Sequence, residues 1–386
     1  MDEEKPRKRG PANNQPFQAG MSKPRITDAF SRPTLYPYFQ KLLVVYGECA
    51  VVGKLPPELL DLVFRFRGVD DPRVVVGPAV GEDAAVINLD GLYLVVHSNP
   101  ITEAASRVGW LAVNVAANDV AVTGAAPRWA SIVILLPEDG VKLLKSIVED
   151  IDRAAKELGI AIVGGHTEEA PGVEKPTVVA TVMGVTRRYV ATSGARPGDV
   201  IIMVKHGALE GTAILAYDFE KMLIGSGVER EVVETAKKFL NEISVVKPAL
   251  LISDIADAMH DPTEGGILGA LYEMAYASQT KIIVYKDKVI FRTETLKIAE
   301  ALKIDPLKLI SSGTLLAAIP PNKVDEAIHR LSSKGYPVTI IGEIVEKTTS
   351  PCVEVYEGKT LVETVKGFVK DELARLWELT KPYPQD

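Results

Sequence analysis

Four short stretches in the first half of the chain carry acidic, amide and imidazole side chains that could do chemistry. Each lies beside glycine or other small residues and next to a predicted strand or helix. Carboxylates that converge with amides are typical of Mg²⁺ sites, because this ion takes hard oxygen ligands and shares them with water and substrate phosphates. The set predicts a site for Mg²⁺ and nucleotide phosphates, provided that its members meet in space. The stretches are Glu82-Asp83, Ser98-Asn99, Asn118-Asp119 and His166-Thr-Glu168.

Asp119 is the one ionisable residue in the apolar stretch from Gly109 to Pro127. The helical spacing of the apolar residues predicts a helix that ends near Gly124. A helix that is apolar nearly all round is normally buried. A lone buried carboxylate is costly unless it is paired, hydrogen-bonded or bound to a metal. We expect Mg²⁺-bound phosphate, shared with Asp83, as its partner, and a salt bridge to an arginine is the alternative.

Each stretch also has a simpler structural interpretation. Asp83 could cap a helix or a turn, and His166 could be an ordinary hydrogen-bonded loop histidine. Gly164 and Gly165 allow a close backbone approach or a positive φ, but two glycines alone are a weak signal. The metal-site hypothesis therefore depends on the whole set rather than on any single residue.

In the second half, residues 261–266 open a predicted buried helix. Backbone N–H groups at such a start suit an anion, whereas Asp261 or Thr263 as a plain N-cap is the alternative. His206 and Glu210 flank glycines after a strand, where they could act as acid or base or be exposed turn residues. The candidates for catalysis in the whole chain are His166, Glu168 and His206.

The composition is that of an ordinary globular protein. The 386 residues fit two domains, and 47% of them are hydrophobic and 25% charged. The net charge of −7 argues against a nucleic-acid or anionic-membrane partner. No apolar run is long enough to span a bilayer, and the N-terminus does not resemble a signal peptide. Cys49 and Cys352 form no CxxC pattern, so we expect a reducing, cytoplasmic setting.

Strands and helices alternate through both halves, which predicts two α/β or α+β domains. Two polar stretches, 98–102 and 164–168, are expected to be loops, and residues 252–259 are expected to be helical. Gly53-Lys54 is not a P-loop, because Leu55 stands where Ser or Thr would be needed. The expected divisions are a disordered extension at 1–33, a first domain at 34–188, a second domain at 189–365, and a terminal helix and tail at 366–386.

The ordered motifs resemble the superfamily that contains aminoimidazole ribonucleotide (AIR) synthase, selenophosphate synthetase, thiamine-monophosphate kinase and the hydrogenase-maturation dehydratase. The resemblance extends over about residues 45 to 350, and the Asp-Pro-Thr-x-Gly-Gly motif is most similar to the hydrogenase-maturation branch. The matching residues are Gly81-Glu-Asp-Ala-Ala-Val86, Ala117-Asn-Asp-Val-Ala-Val-Thr-Gly-Ala-Ala-Pro127, Gly164-Gly-His-Thr167, Pro197-Gly-Asp199, residues 206–213, Asp261-Pro-Thr-Glu-Gly-Gly266 and Ser312-Gly-Thr-Leu-Leu316.

This resemblance implies an ATP-binding, two-domain α/β fold. It implies that the N-terminal domain forms a shared β-barrel in a homodimer and that the C-terminal domain closes over the nucleotide cleft. Carried over residue by residue, Glu82, Asp83 and Asp119 hold Mg²⁺, and Asn118 orients the phosphates or supports its helix. The implied nucleotide contacts are Asn99, Asn118, Asp119, Gly164, Gly165, Asp261, Thr263, Gly265 and Gly266.

Three positions depart from the family pattern. Glu82 is a mild change from the usual Asp, and Asn99 and His166 stand where the family usually or often has Asp. We expect a Mg²⁺-dependent enzyme that uses ATP to activate or phosphorylate an unknown small molecule. The alternatives are a non-catalytic nucleotide-binding partner in metalloenzyme (hydrogenase) maturation and a structural dimer without ligand. The dehydratase's own activity is not expected, because Pro384-Gln-Asp386 replaces its terminal cysteine. The selenophosphate reaction is not expected either, because the chain shows no reactive Cys near an N-terminal glycine-rich loop.

Overall fold

The first half of the chain folds into a six-stranded sheet with the strand order β1-β2-β3-β6-β4-β5. All neighbouring strands are antiparallel except β4 and β5, which are parallel. The computed structural model describes residues 54, 55, 59, 60, 63–102, 104 and 106–380. The strands of this sheet are β1 (Val74–Val76), β2 (Ala85–Leu89), β3 (Leu92–Ile101), β4 (Ala126–Leu136), β5 (Ala161–Glu169) and β6 (Thr177–Thr186).

Two helices, α1 (Val108–Val122) and α2 (Val141–Leu158), accompany this sheet. Every residue of α1 is buried, as its apolar composition predicts, and it packs against β3, β6 and α2. Helix α2 is amphipathic and buries only one face, so it forms the outer layer. The buried helix therefore lies between the sheet and the rest of the molecule.

The second half folds into a seven-stranded sheet with the order β13-β12-β9-β11-β7-β10-β8, in which only β9 and β12 are parallel neighbours. Its strands are β7 (Val200–Val204), β8 (Ala258–His260), β9 (Thr280–Tyr285), β10 (Leu315–Ile319), β11 (Val338–Lys347), β12 (Cys352–Glu357) and β13 (Thr360–Val365). Its helices are α3 (Leu209–Asp218), α4 (Glu220–Gly225), α5 (Arg230–Lys237), α6 (Val246–Ile252), α7 (Gly266–Ser278), α8 (Thr293–Leu302), α9 (Val324–Ser332) and α10 (Glu372–Thr380).

Helix α1 also binds the second half of the chain. The indole N–H of Trp110 donates to the carbonyl of Leu240 (2.6 Å). The Asn118 side chain donates to the carbonyl of Ile243 (2.9 Å) and accepts the N–H of Val245 (2.8 Å). Asn118 is fully buried. These three bonds, which we call the α1 clamp, connect the two halves through one helix.

The fold confirms the predicted α/β class with two sheets, and three local predictions are wrong. Residues 98–101 belong to β3, because they continue its antiparallel pairing with β6. Residues 164–168 belong to β5, because they pair in parallel with β4. The predicted helix at 252–259 is the end of α6 followed by a turn and β8. In each case backbone pairing or packing overrides the local composition.

Some expectations fall outside what this structure describes. The predicted extension at 1–33 and Cys49 lie outside the described residues. The six-stranded sheet is open within one chain, so the shared barrel stays a prediction. Across the described ranges, none of the helices combines the length and apolar character needed to cross a membrane.

We expect Asn118→Ala to lower the free energy of unfolding by about 2–4 kcal/mol, because it leaves a buried carbonyl and a buried amide without their partner. Urea denaturation measures this change. The control is Asn114→Ala, since Asn114 is similarly buried on α1 but donates only to the carbonyl of Trp110 in its own helix (2.9 Å). The control should lose about 1 kcal/mol. Equal losses in the two variants would contradict the α1 clamp.

Candidate functional site

A cleft of about 520 Å³ is lined by residues from both halves of the chain. Its walls come from the turn before β2, from β3, from α1 and from the segment that follows β8. Three of the four stretches that the sequence singled out therefore meet here. The lining residues are Lys54, Leu60, Glu82, Asp83, His97, Ser98, Asn99, Pro100, Thr102, Asp119, His260, Thr263 and Glu264.

The turn that carries Asp83 lies against helix α7. Gly81 has φ +86°, and a Cβ at this position would lie 2.6 Å from the carbonyl oxygen of Glu273. A larger residue would be strained and would push the turn away from the helix. The close approach brings Asp83 to His260, whose Nδ1 lies 2.5 Å from Oδ1 of Asp83. The other oxygen of Asp83 accepts the hydroxyl of Thr192 (2.9 Å).

Glu82 points to the start of the second half rather than into a cluster of carboxylates. Its two carboxylate oxygens accept the backbone N–H groups of Thr192 (3.1 Å) and Ser193 (3.2 Å). These bonds hold the short 3-10 turn Thr192–Gly194. Glu82 therefore caps this turn while it lines the cleft, and its role as a metal ligand stays a prediction.

His260 lies between two carboxylates and is almost fully buried. Its Nε2 lies 3.0 Å from Oε2 of Glu273, on the side of the ring opposite Asp83. Burial disfavours the charged ring, but the charges and hydrogen bonds of Asp83 and Glu273 outweigh it and raise the pKa of His260 well above its ordinary value. The raised pKa favours the charged ring, whose Nε2 bonds to Glu273 and whose Nδ1 lies close to Asp83.

Glu273 is also the partner of Lys54, whose ammonium group forms an ion pair with its other oxygen. Burial opposes the charged forms of both groups. The charge of Lys54 and the hydrogen bond to His260 nevertheless lower the pKa of Glu273 to about 2. The charges of Glu273, Glu264 and Asp83 raise the pKa of Lys54. Lys54, Glu273, His260 and Asp83 thus form a continuous chain of alternating charges, which we call the charge chain.

Two further buried acids, Asp119 and Asp261, are not members of the charge chain. Asp119 is 5% exposed and Asp261 is 1% exposed. Oδ2 of Asp119 and both carboxylate oxygens of Asp261 have no hydrogen-bond partner in the described part of the structure. Nε2 of His97 lies 3.4 Å from Oδ2 of Asp119. The arginine salt bridge considered for Asp119 is not found among the ion pairs of the described residues.

Burial and mutual repulsion disfavour the charged forms of these two acids. Burial, followed by the charge of Asp83, raises the pKa of Asp119 well above its ordinary value. Burial, followed by the charges of Asp119 and Asp83, does the same to Asp261. Burial lowers the pKa of His97, so this ring is a weak counter-charge. A divalent cation would relieve both the burial and the repulsion of the carboxylates.

The donor set fits Mg²⁺. Asp83, His260 and Asp261 each offer a ligand atom, and these atoms lie within 4.8 Å of one another. His260 is engaged by carboxylates on both sides, so it acts as a counter-charge rather than as a ligand. Asp83 and Asp261 offer carboxylate oxygens within this group, and Asp119 adds a carboxylate from the wall of the cleft. Carboxylate oxygens are what Mg²⁺ prefers. Asn99 and Thr263 add neutral oxygens to the same cleft.

Other predicted site residues lie elsewhere in this chain. His166 and Glu168 are on β5, which is exposed along its whole length, and their side chains lie 3.3 Å apart. Gly164 and Gly165 belong to the same strand. His206 is half-buried after β7, where burial and Arg292 lower its pKa. These residues are not among the described residues that line the cleft.

Two nucleotide contacts predicted from the sequence have structural partners. Asn118 is fully buried in the α1 clamp, which favours its helix-supporting role. The N–H of Gly265, at the start of α7, donates to the carboxylate of Asp371 (2.8 Å). The anion at this helix start is therefore supplied by the chain itself. Gly266 begins α7 with φ +63°.

Sequence reasoning missed Lys54, His97, His260 and Glu273. A signal was available for Glu273, because it is the only acidic or basic residue in α7, an apolar helix like α1. His260 directly precedes Asp261 in the recognised motif. Lys54 had no local signal, because its partner lies 219 residues away.

Comparisons with known proteins agree with this architecture. The family model described as AIR synthase related protein, N-terminal domain, matches residues 81–186, and that for the C-terminal domain matches residues 196–351. A Methanocaldococcus jannaschii protein, provisionally named a hydrogenase expression/formation protein, is 27% identical over 311 residues, which are 78% of this chain and 87% of the relative.

Two solved structures share the fold. AaThiL complexed with AMPPCP and TMP has a TM-score of 0.63 and 22% identity, and the match covers 80% of this chain and 95% of that one. Hydrogenase maturation protein HypE in complex with ATP has a TM-score of 0.55 and 23% identity, and the match covers 81% and 96% of the two chains.

Glu273→Gln should remove a stabilising contribution of about 3 kcal/mol at pH 7. The pKa of Glu273 is lowered to about 2 in the folded protein, so its contribution is present above the unfolded pKa and is lost as the pH falls toward 2. The difference in unfolding free energy between wild type and variant should therefore shrink below about pH 4.5. Urea denaturation across pH 2 to 7 measures it.

The control for this experiment is Glu149→Gln, since the Glu149 side chain is 65% exposed on α2. This variant should follow the wild-type pH curve. A Glu273→Gln difference that stayed constant over the whole pH range would contradict the ionised state of Glu273.

Proposed function

The chain belongs to the AIR synthase-related superfamily, and from this membership we propose that it binds ATP with Mg²⁺ in the cleft and activates or phosphorylates a small-molecule acceptor. One observation carries the proposal. Asp119 and Asp261 are buried, and Oδ2 of Asp119 and both carboxylate oxygens of Asp261 have no hydrogen-bond partner in the described ranges. Such a group of acids is explained by a cation and its phosphate ligands.

The related structures support the proposal that the cleft binds a nucleotide. One is a complex of AaThiL with AMPPCP, and another is a complex of HypE with ATP. In this chain Asp83, Asp119 and Asp261 would hold the ion. When bound, Mg²⁺ neutralises charge on the phosphates during transfer.

The remaining residues of the cleft have positioning roles. The imidazolium of His260 and the hydroxyl of Thr192 fix the Asp83 carboxylate from two sides. Glu273 and Lys54 keep His260 charged and oriented. Leu60 and Pro100 add apolar surface to the wall of the cleft, which limits the access of water to the phosphates. Asn99 offers an amide to the nucleotide.

A second candidate is a nucleotide-binding partner in metalloenzyme maturation that does not turn ATP over. It is favoured by Asn99, which presents an amide in the cleft where the family usually has an acid. ADP release separates the two candidates. Release that depends on an added acceptor supports the enzyme, whereas tight binding of Mg·ATP without release supports the non-catalytic partner.

Asp119→Asn should weaken the binding of Mg·ATP at least about tenfold, because it removes a charged ligand. The same variant should be more stable than wild type without Mg²⁺, since it removes a buried like charge. Titration calorimetry and thermal unfolding measure the two effects. The opposite signs distinguish a metal ligand from a merely structural acid.

The matched control is Asp199→Asn. Asp199 is 3% exposed but lies outside the cleft, where it accepts the N–H of Arg196 (2.8 Å). It should leave Mg·ATP binding unchanged. If Asp119→Asn bound Mg·ATP as well as wild type, the assignment of the metal site would be wrong.

We further propose that β5 is the homodimer interface. All of its residues are exposed, and it forms the edge of the first sheet. Ile162 and Val163 are 45% and 57% exposed. Unpaired strand edges with apolar side chains are surfaces that pair with another chain. Pairing there would also bring His166 and Glu168 to a subunit boundary.

Val163→Glu should convert the dimer to a monomer, because it places a charge in the apolar contact. Sedimentation velocity reads the change directly. Val141→Glu serves as the control, since Val141 is 59% exposed but lies at the start of α2 rather than on β5. This control should remain dimeric. A monomeric wild type, or dissociation by both substitutions, would count against the interface.

A further inference from the structure

A small cavity of about 30 Å³ adjoins the cleft, and we call it the side pocket. Asn99, Pro100, Thr263 and Glu264 line both spaces. The side pocket extends from them toward α1, α3 and the segment before β10. It therefore lies beside the proposed nucleotide site.

The inner end of the side pocket is polar and deeply buried. Glu210, in the first turn of α3, is 2% exposed, and Ser312 is fully buried. The N–H of Ser312 donates to Oε2 of Glu210 (3.3 Å). The hydroxyl of Ser312 has no hydrogen-bond partner in the described part of the chain. A buried hydroxyl without a partner is destabilising, which indicates a missing ligand group.

Close packing of the backbone holds this polar pair together. A Cβ at Gly211 would lie 2.5 Å from Cγ of Leu309 and 2.8 Å from the carbonyl oxygen of Ile310. The N–H of Gly211 also donates to that carbonyl (3.0 Å). Helix α3 is thereby fixed against the segment that leads to Ser312. Glu210 and Ser312 are placed by the fold, before any ligand binds.

Helix α1 contributes one residue to the side pocket and another to the proposed metal site. Val115 lines the side pocket, and Asp119 lies four residues later on the same helix. Residues four apart share a face and are separated by about 6 Å along the axis. A ligand group in the side pocket would thus lie within reach of a phosphate held near Asp119.

We propose that the side pocket receives the reacting end of the acceptor, and that this end carries an N–H or O–H donor. The inference rests on the proposed function. Glu210 offers a carboxylate, Ser312 a hydroxyl, and Glu264 a second carboxylate at the mouth. Among the described lining residues there is no lysine, arginine or histidine. An amine, amide or alcohol therefore fits, whereas a carboxylate or phosphate is repelled.

The size and the walls of the side pocket further limit which chemical groups it can accept. A space of about 30 Å³ admits one small group rather than a ring. The walls formed by Val115, Ile214 and Ile310 are apolar, so a polar group in the side pocket must pair with the polar residues that line it. Glu210 is a specificity-determining residue in this proposal, because its carboxylate accepts the hydrogen bond that the acceptor donates.

The experiment compares acetamide with acetate, which have the same shape but differ in donor and charge. Both probes are titrated onto the protein saturated with Mg·AMPPCP, and saturation-transfer NMR reports their binding. Wild type should favour acetamide over acetate by at least about tenfold. Glu210→Gln supplies an amide donor in place of the carboxylate, so it should reverse or abolish this preference. Ser312→Ala should weaken acetamide binding by about threefold or more.

The control is Glu157→Gln on the outer helix α2, where the side chain is 54% exposed. It should keep the wild-type preference. Circular dichroism and Mg·AMPPCP binding confirm that each variant is folded. Equal binding of the two probes by wild type, or an unchanged preference in Glu210→Gln, overturns the inference.

The two proposals fail in different ways. If wild type binds Mg·AMPPCP but not acetamide, the side-pocket inference is wrong and the proposed function stands. If wild type does not bind Mg·AMPPCP, the proposed function is wrong, and the acceptor role of the side pocket is overturned with it.

Discussion

The buried imidazolium of His260, held between Asp83 and Glu273, is the interaction on which the cleft depends. It compensates Asp83 and Glu273 directly, whereas Oδ2 of Asp119 and both carboxylate oxygens of Asp261 have no hydrogen-bond partner in the described structure. A buried acid of this kind either takes up a proton or recruits a cation. The cleft therefore contains more buried carboxylates than the charge chain compensates.

The same cleft is assembled by contacts between the two halves. Glu82 holds the turn Thr192–Gly194, and Thr192 in turn contacts Asp83. The α1 clamp fixes the opposite wall. Because the acids come from both halves, their spacing depends on these contacts rather than on either sheet alone. The geometry of the site therefore depends on the contacts between the two halves of the chain.

Much of this arrangement could be predicted from local sequence, and the rest could not for physical reasons. The apolar periodicity of α1 predicted a buried helix, and Asp119 and Asp83 do line one cleft. Asn99 was predicted on a loop because polar residues are depleted in strands, yet β3 continues through it by pairing with β6. Lys54 could not be predicted, because its role follows from a partner that only folding brings near.

The α1 clamp has a consequence for how sequences of this fold can diverge. Trp110 and Asn118 bond to main-chain groups of residues 240, 243 and 245, not to their side chains. The bonds do not depend on which side chains stand at positions 240 and 243. Substitutions that keep the core packing can therefore accumulate there. Position 245 must keep its N–H, which excludes proline. At these contacts, selection therefore acts on the course of the backbone at residues 240–245 more than on the types of side chain.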